Sequence, residues 1–288
     1  MTRITKFVFK GGKLRKVANV LAAGLALVAT QAPAVTVLPD FSAATFVAGT
    51  TIDNPFFPLD PTFQAWLRAE GVDDEGEDFT EETRLSYGGP GRTILGVQTT
   101  VQRDFAFEDD LLVEDTFDYY AQDTNGNVWY MGEDVINYIY DDDDNLVDTN
   151  NSSAWIAGEN GALPGYIMPA DPVVGMSYFQ EFSAADGALD EASIFATGLT
   201  IMSGDTVFSD VLATLETSSI DPDAREFKFY ARGVGLIRIE EGLDGDFANP
   251  ELVFERIAPS VVPLPAGFSL MLAGMGALAG LRSLRRRA

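Results

Sequence analysis

The chain has 288 residues, of which 44 are acidic and 19 basic, and it contains no Cys and no His. The absence of Cys excludes disulfides, thiol nucleophiles and thiolate metal sites, and the absence of His excludes Ser-His-Asp triads and the usual zinc sites. Ten basic residues lie in residues 1–34 and 264–288, which leaves nine cations against 44 acids in residues 35–263, a net charge of −35. A charge of this sign repels nucleic acid and attracts divalent cations or basic partners, and surface solubility alone is the alternative interpretation.

The N-terminus is typical of a secretory signal peptide. A basic stretch runs to Lys16, and 13 apolar residues follow from Val17 to Ala29. Small residues then stand in A-x-A spacing, so we expect cleavage after Ala34, with Ala32 as the alternative. An apolar run of this length is short for a membrane span, which needs about 20 residues, although an uncleaved anchor is the competing interpretation.

Residues 35–78 begin irregularly. The segment Asp53–Leu59 is rich in proline and phenylalanine. We expect this segment to cover one end of a sheet. We predict one short helix over Pro61–Glu70, with Trp66 and Leu67 facing inward. The acidic stretch Asp73–Asp78 is predicted to be a loop.

From Phe79 onward, apolar and polar residues alternate with a period of two, which predicts β-strands. Asn-Gly at positions 125–126 is a strong hairpin signal. Gly88–Gly91 is predicted to be a turn and Gly158–Gly175 a connection without strands. The predicted strands are Thr80–Tyr87, Arg92–Phe107, Leu111–Gln122, Val128–Gly132, Val135–Tyr140, Leu146–Ile156, Ser177–Ala184, Ala188–Leu199, Thr206–Ser218, Glu226–Ala231, Gly235–Glu241 and Leu252–Ile257.

These strands predict one all-β domain over residues 35–260. The chain order favours an antiparallel meander that forms a barrel, a half-barrel or a sandwich, because each of these protects the sheet edges. We expect an N-terminal signal helix in residues 1–34 and a C-terminal transmembrane helix in residues 261–288.

The C-terminus has three parts in a fixed order. The motif Val262-Pro263-Leu264-Pro265-Ala266 comes first, and the 18 residues from Leu264 to Leu281 carry no charge, which is just enough to span a bilayer. The basic residues that follow are expected to stay cytoplasmic by the positive-inside rule. They are Arg282, Arg285, Arg286 and Arg287.

Residues 262–288 resemble the VPLPA variant of the PEP-CTERM sorting tail. The resemblance implies recognition by an exosortase-type membrane protease in a Gram-negative bacterium, which cuts near the motif and releases the protein or transfers it to the surface. Such proteins often accompany exopolysaccharide production. A plain single-span anchor is the alternative, and both interpretations place residues 35–263 outside the cytoplasm.

Several segments of the body are also similar to an uncharacterised family of exported bacterial proteins. The resemblance implies an antiparallel β fold of lipoprotein type and brings no activity with it. The similar segments are Asn54–Leu59, Glu114–Asp123, Gly126–Tyr130, Gly161–Gly165, Ile167–Pro172 and Tyr230–Ile237.

Calcium is the one cofactor for which the sequence offers candidate ligands. Asp123, Asn125 and Asn127 present alternating oxygens in one turn, and Asp141 and Asp143 belong to an acidic run. Calcium takes six to eight oxygen ligands, and the first segment lacks the Gly and distal Glu of an EF-hand loop. Asn and Asp also suit hairpin turns without any metal, so a purely structural role is the alternative.

Two further patterns are candidates for chemistry. Glu114 and Asp118 lie at even spacing and should face the same side of a strand, with Glu133 and Asp134 in the neighbouring hairpin. Two carboxylates across a cleft hydrolyse glycosidic bonds in many enzymes, although 44 acids make such pairs common by chance. An alternating aromatic set is expected to be core, with sugar stacking as the alternative. It comprises Phe117, Tyr119, Trp129, Tyr138 and Tyr140.

The sequence therefore predicts location more firmly than activity. We expect an exported, non-enzymatic surface or extracellular-matrix protein that contacts the secretion translocon, an exosortase-type protease and, transiently, the inner membrane. Polysaccharide and divalent cations are its candidate ligands, and no nucleic acid is expected. The alternatives are a lipoprotein-like barrel that carries an apolar ligand and a carboxylate-based hydrolase of exported polysaccharide.

Overall fold

The computed structural model describes residues 35–49, 51–73 and 76–258. The predicted signal peptide with Ala34, the sorting motif Val262–Ala266 and the arginine cluster all lie outside the described residues. Within the described ranges, no helix has the length and apolarity needed to cross a bilayer.

Seventeen β-strands and one 3₁₀ helix, Phe41–Ala43, are present in the described part of the chain. The strands are β1 (Ile52–Asn54), β2 (Phe57–Leu59), β3 (Gln64–Val72), β4 (Asp78–Ile94), β5 (Val97–Glu108), β6 (Leu111–Gln122), β7 (Val128–Tyr140), β8 (Leu146–Asn150), β9 (Trp155–Ile156), β10 (Leu163–Met168), β11 (Ser177–Phe179), β12 (Glu181–Phe182), β13 (Asp190–Ser203), β14 (Thr206–Ser218), β15 (Arg225–Ala231), β16 (Gly235–Glu241) and β17 (Leu252–Arg256).

The main sheet is an antiparallel meander that forms a nearly closed barrel. Strands β13 to β17 follow one another, β17 pairs with β3, and β3 to β7 continue to β10. The segment Ser177–Phe182 then closes the circle, because β11 pairs with β13 and β12 pairs with β10. The predicted all-β antiparallel meander is confirmed, and of its three predicted forms the barrel is the one observed.

Glycine at position 165 lets β10 come close to this closing segment. A Cβ atom on Gly165 would lie 2.1 Å from the carbonyl oxygen of Phe179 and 2.5 Å from that of Gln180. Real Cβ atoms do not approach backbone this closely, so any other residue would push β10 and the closing segment apart.

The hairpin of β1 and β2 packs over one end of the barrel, as the proline- and phenylalanine-rich composition of Asp53–Leu59 predicts. Ile52, Phe56 and Leu59 are buried there. The amide of Asn54 fixes the hairpin, because its Nδ2 donates to the carbonyl oxygens of Gly126 and Pro169 at 3.0 and 3.2 Å. This end holds the apolar and aromatic part of the interior.

A second apolar cluster lies on the outer face of β14, β15 and β16, where it includes Val211, Phe229 and Ile237. The β13–β14 hairpin bends over this cluster and is fixed by Ser203. The hydroxyl of Ser203 donates to the carbonyl oxygen of Ile237 and accepts from the backbone amide of Arg256, the latter at 2.8 Å.

The helix predicted over Pro61–Glu70 is wrong, because these residues enter strand β3. Burial alternates along it, with Ala65, Leu67 and Ala69 inside the barrel. Leu67 is inward as predicted, but Trp66 faces outward, where the Arg84 guanidinium lies 4.8 Å from its ring centre. Hydrogen bonding to β4 and β17 on both sides overrides the local helix propensity.

The turn predicted at Gly88–Gly91 is also wrong. These residues lie inside β4, and the chain reverses at Leu95–Gly96, where both residues have positive φ. A Cβ on Gly91 would lie 2.3 Å from Thr99 Oγ1, so the glycine serves side-chain packing rather than a turn. The two predicted strands Val128–Gly132 and Val135–Tyr140 are likewise one strand, β7, and the predicted strand-free connection Gly158–Gly175 contains β10.

Candidate functional site

Carboxyl groups from several strands point into the half of the barrel away from the β1–β2 hairpin. Directly paired residues face the same side of a sheet, and the pairs Asp118 with Glu133 and Glu216 with Glu226 bring acids together. Within the described residues, nine acidic side chains make up this acidic interior. They are Glu81, Asp104, Glu114, Asp118, Glu133, Glu181, Asp190, Glu216 and Glu226.

One buried amine stands among these acids. Lys228 Nζ lies 2.9 Å from Glu216 Oε2 and 2.9 Å from Glu226 Oε1, and all three side chains are 1% exposed. Burial alone would lower the pKa of Lys228, but the two carboxyl groups outweigh it and hold that pKa well above its ordinary range. Burial raises the pKa of Glu226 well above its usual value, although the neighbouring Lys228 ammonium opposes that rise.

Several other acids of the interior also hold protons near neutral pH. Burial, followed by repulsion from Glu108 and Asp109, raises the pKa of Glu81 to about 8. Burial, followed by repulsion from Asp118, raises the pKa of Asp104 to about 7, even though Asp104 accepts a 2.7 Å hydrogen bond from Thr83. Burial likewise raises the pKa of Glu181 to about 8. The interior therefore binds protons that an unfolded chain would release.

The predicted carboxylate pair lies in this interior. Glu114 and Asp118 are both buried on β6 and face the same side, as their spacing predicts. The Tyr130 hydroxyl lies 2.6 Å from Asp118 Oδ1 and 2.9 Å from Glu133 Oε2. Asp134 points the other way, where it accepts a 2.6 Å hydrogen bond from the Tyr119 hydroxyl.

A small cavity opens beside the acidic interior. Its volume is about 50 Å³, well below the few hundred Å³ of pockets that hold drug-sized ligands. The polar walls are Glu81, Glu82, Thr83, Asp104, Glu114, Lys228 and Glu241. The apolar walls are Leu85, Ala106, Phe107, Leu236, Ile239 and Phe254.

The first predicted calcium segment is a hairpin turn held by Asp123. Asp123 Oδ1 accepts from the backbone amides of Asn125 and Asn127 at 2.8 and 3.0 Å. Asp123 Oδ2 accepts from the Asn127 side chain at 2.8 Å and from the indole of Trp129 at 3.0 Å. The Asn127 Oδ1 atom accepts from the backbone of Ala170.

The second predicted segment repeats this arrangement on the surface. Asp141 Oδ1 accepts from the backbone amides of Asp143 and Asn145 at 3.0 and 2.9 Å. These hydrogen bonds lower the pKa of Asp141. No group of three or more acidic side chains is arranged to hold a metal ion among the residues the structure describes. Calcium binding by either turn stays a prediction.

The aromatic residues singled out in the sequence divide between two environments. Trp129 and Tyr119 are buried, and Trp129 packs against Phe41 and Tyr166 with ring centres 5.2 and 4.5 Å apart. The remaining three are partly buried along β6 and β7, so the set does not form one exposed strip. These three are Phe117, Tyr138 and Tyr140.

Sequence reasoning missed the Lys228 cluster. The signal was present, because Glu226 and Lys228 alternate with Phe227 and Phe229 along one strand. Such alternation ordinarily places the charged face in solvent, and here both faces of β15 are covered, one by the barrel interior and one by the outer apolar cluster.

No protein-family model matches the chain, and no curated protein matches it. A solved structure from Bacteroides fragilis, described as an exported protein with a YmcC-like fold, is similar over 70% of this chain and 96% of that chain. The two share 12% sequence identity and superpose with a TM-score of 0.32, too low for the likeness to support an argument.

Proposed function

We propose that this chain is the precursor of an exported, non-enzymatic surface or extracellular-matrix protein whose barrel is a filled structural body. The observation that carries this proposal is the interior itself. Among the residues that the structure describes, nine acids, Lys228 and aromatic residues occupy it, and the cavity beside the acids measures about 50 Å³. That space accommodates small ions and water rather than a sugar ring or a lipid.

The two alternative functions, carriage of an apolar ligand and hydrolysis of polysaccharide, both require a cavity larger than about 50 Å³. A carrier of apolar ligands needs an apolar pocket of a few hundred Å³, and this cavity of about 50 Å³ has charged as well as apolar walls. A hydrolase needs two carboxyl groups flanking a bound sugar, with room for the substrate between them. The raised pKa values of Glu81 and Asp104 do resemble those of catalytic acids, which keeps hydrolysis as the second candidate.

The delivery route in the proposal comes from the two ends of the sequence. The secretion translocon takes up residues 1–34, and the tail at 262–288 holds the precursor in the inner membrane until an exosortase-type protease cuts it. The domain is then released or transferred to the cell surface, where exopolysaccharide is the proposed neighbour. The net charge of −35 in residues 35–263 keeps this domain soluble there.

Mass spectrometry of the mature protein from the producing cells tests this route. We expect an N-terminus at Val35, a C-terminus near residues 262–266, and a signature of any group attached there. The matched control replaces Pro263 and Pro265 by Ala, which should leave the tail uncut and the protein in the membrane fraction. A wild-type protein that retains both ends would contradict the proposal.

A separate assay tests the non-enzymatic part. The producing cells' own polysaccharide is incubated with the purified protein, and newly formed reducing ends are measured. We expect none. Hydrolysis that disappears in Asp104→Asn would support the second candidate instead.

A further inference from the structure

We infer that the acidic cavity of the barrel, which Glu81, Asp104 and Glu114 line, binds a partly hydrated divalent cation such as Ca²⁺. This site differs from the two turns that the sequence offered for calcium. It also goes beyond the structural role proposed above, which does not depend on any bound ion.

The barrel interior contains far more acidic than basic side chains. Nine acids face one amine, Lys228, in the part of the chain that the structure describes, and Lys228 is already engaged by Glu216 and Glu226. The cavity lies beside this trio and is also lined by Glu81, Asp104 and Glu114. A group of buried carboxyls that outnumbers its cations must either keep its protons or bind a positive ion.

Glu81 is buried with one carboxyl oxygen that lacks a hydrogen-bond donor among the described residues. This side chain is 5% exposed and lines the cavity, yet its Oε2 atom accepts no hydrogen bond from the described residues. A buried carboxyl oxygen without a donor is costly, and a cation or a water molecule bound to a cation would satisfy it. Burial raises the pKa of Glu81 to about 8, so the bound ion would displace a proton at neutral pH.

The cavity has the size of a hydrated ion. A buried water needs at least about 10–15 Å³ of such volume, so about 50 Å³ holds an ion with a few waters. The described acids do not converge as a group of three on one point. The ion would therefore keep part of its water shell, which suits Ca²⁺ because it takes six to eight oxygen ligands in flexible geometry.

The walls of the cavity also favour charge pairing. Leu85, Phe107, Leu236 and Phe254 shield one side from bulk water, and attraction between opposite charges is stronger where the local dielectric constant is low. By contrast, the carboxylates of Asp123 and Asp141 already accept several hydrogen bonds within their turns. An ion at either turn would compete with these donors for the carboxylate oxygens.

Calorimetric titration of the full chain in detergent with CaCl₂ tests the inference, with NaCl at equal ionic strength as the reference. We expect saturable binding near one ion per chain, a higher melting temperature, and release of protons into a weakly buffered solution at pH 7. At pH 5 the same carboxyls hold their protons more firmly, so the apparent affinity should fall.

Two variants locate the site. Glu81→Gln and Asp104→Asn keep the side-chain shape and remove the negative charge, and each should reduce proton release and lower the affinity at least tenfold. Asp141→Asn is the matched control in the surface turn and should bind as the wild type does. Both cavity variants mimic the protonated acid that the barrel already accommodates, so we expect them to fold.

Three results would overturn the inference. They are no calcium-dependent change in the wild type, full binding in both cavity variants, and loss of binding in Asp141→Asn alone. The last result would place calcium in the turn. Because export is measured by mass spectrometry of cells, failure of this inference and failure of the proposed function are separate observations.

Discussion

The ammonium group of Lys228 and the carboxylate of Glu216 form an ion pair across neighbouring strands in the barrel interior, with Nζ 2.9 Å from Oε2. Both side chains are 1% exposed. The Thr214 hydroxyl donates to the other oxygen, Oε1, at 2.9 Å. The pair is therefore held in place from both sides, and its charges lie where water does not reach them.

Replacing Lys228 by Met should destabilise the protein by about 3–5 kcal/mol, because Glu216 loses its cation while it stays buried. Urea unfolding followed by circular dichroism measures the change. The matched control is Arg232→Met, which removes a half-exposed pair with Asp210 and should cost less than about 1 kcal/mol. An equal loss of unfolding free energy in the two variants would show that the buried pair contributes no more to stability than the exposed pair.

The free energy of unfolding should fall as the pH rises from about 5 to about 8. The folded protein raises the pKa of Glu81 from 4.5 to about 8 and that of Asp104 from 3.8 to about 7. Between these limits the folded state binds protons that the unfolded chain has released, so stability is full at low pH and is lost as the pH rises. Urea unfolding at a series of pH values measures this slope.

The variant Glu81→Gln should flatten that slope by up to about 1.4 kcal/mol per pH unit, the value for one proton. Glu70→Gln on the adjacent strand is the control, since Glu70 is exposed and should leave the slope unchanged. A slope that is the same in all three proteins would contradict the assignment to Glu81.

Gly165→Ala should destabilise the barrel by about 1–3 kcal/mol or more, because the added carbon would meet the backbone oxygens of Phe179 and Gln180. Gly245→Ala is the matched control, because no atom of the described residues would lie within 4 Å of a Cβ added there. Thermal melting of the two variants makes the comparison. If Gly165→Ala melts at the same temperature as the control, the closing segment Ser177–Phe182 can move to accommodate the added carbon without loss of stability.

Asp123→Asn should destabilise the protein by about 1–3 kcal/mol in the absence of any metal, because the acceptor of the buried Trp129 indole is weakened. Trp129 fluorescence during urea unfolding reports on this contact directly. The equivalent change in the exposed turn, Asp141→Asn, should have a much smaller effect. Loss of stability that appears only after calcium is removed would instead support the calcium prediction for this turn.

Period-two alternation was sufficient to predict much of the sheet. Strands β6, β14 and β16 coincide with the predicted Leu111–Gln122, Thr206–Ser218 and Gly235–Glu241. The errors fall where glycine has two uses. At Gly88, Gly91 and Gly132 it permits close packing inside a strand, and sequence alone does not separate this use from a turn.

The acidic interior was harder to predict for a related reason. Alternating charge along a strand normally indicates a solvated face, and Glu226 and Lys228 follow that pattern. Their burial depends on closure of the barrel on one side and on the bent β13–β14 hairpin on the other. Closure is set by pairings between residues far apart in the chain, such as Arg68 with Glu255, which no local window contains. The cavity beside Glu81 is also formed by residues far apart in the chain, from Glu81 to Phe254, so a local sequence window does not predict it.

The pairing of β17 with β3 determines when the chain can complete its fold during synthesis. Glu255 and Arg256 of β17 pair with Arg68 and Leu67 of β3, so the barrel is incomplete until nearly the whole domain has been synthesised. A chain that stops before residue 252 leaves β16 and β3 with open edges, which invite aggregation. The predicted sorting tail begins only six residues after β17 ends. A chain that extends to the predicted tail therefore also contains every strand of the barrel, so only a chain of nearly full length can close the sheet.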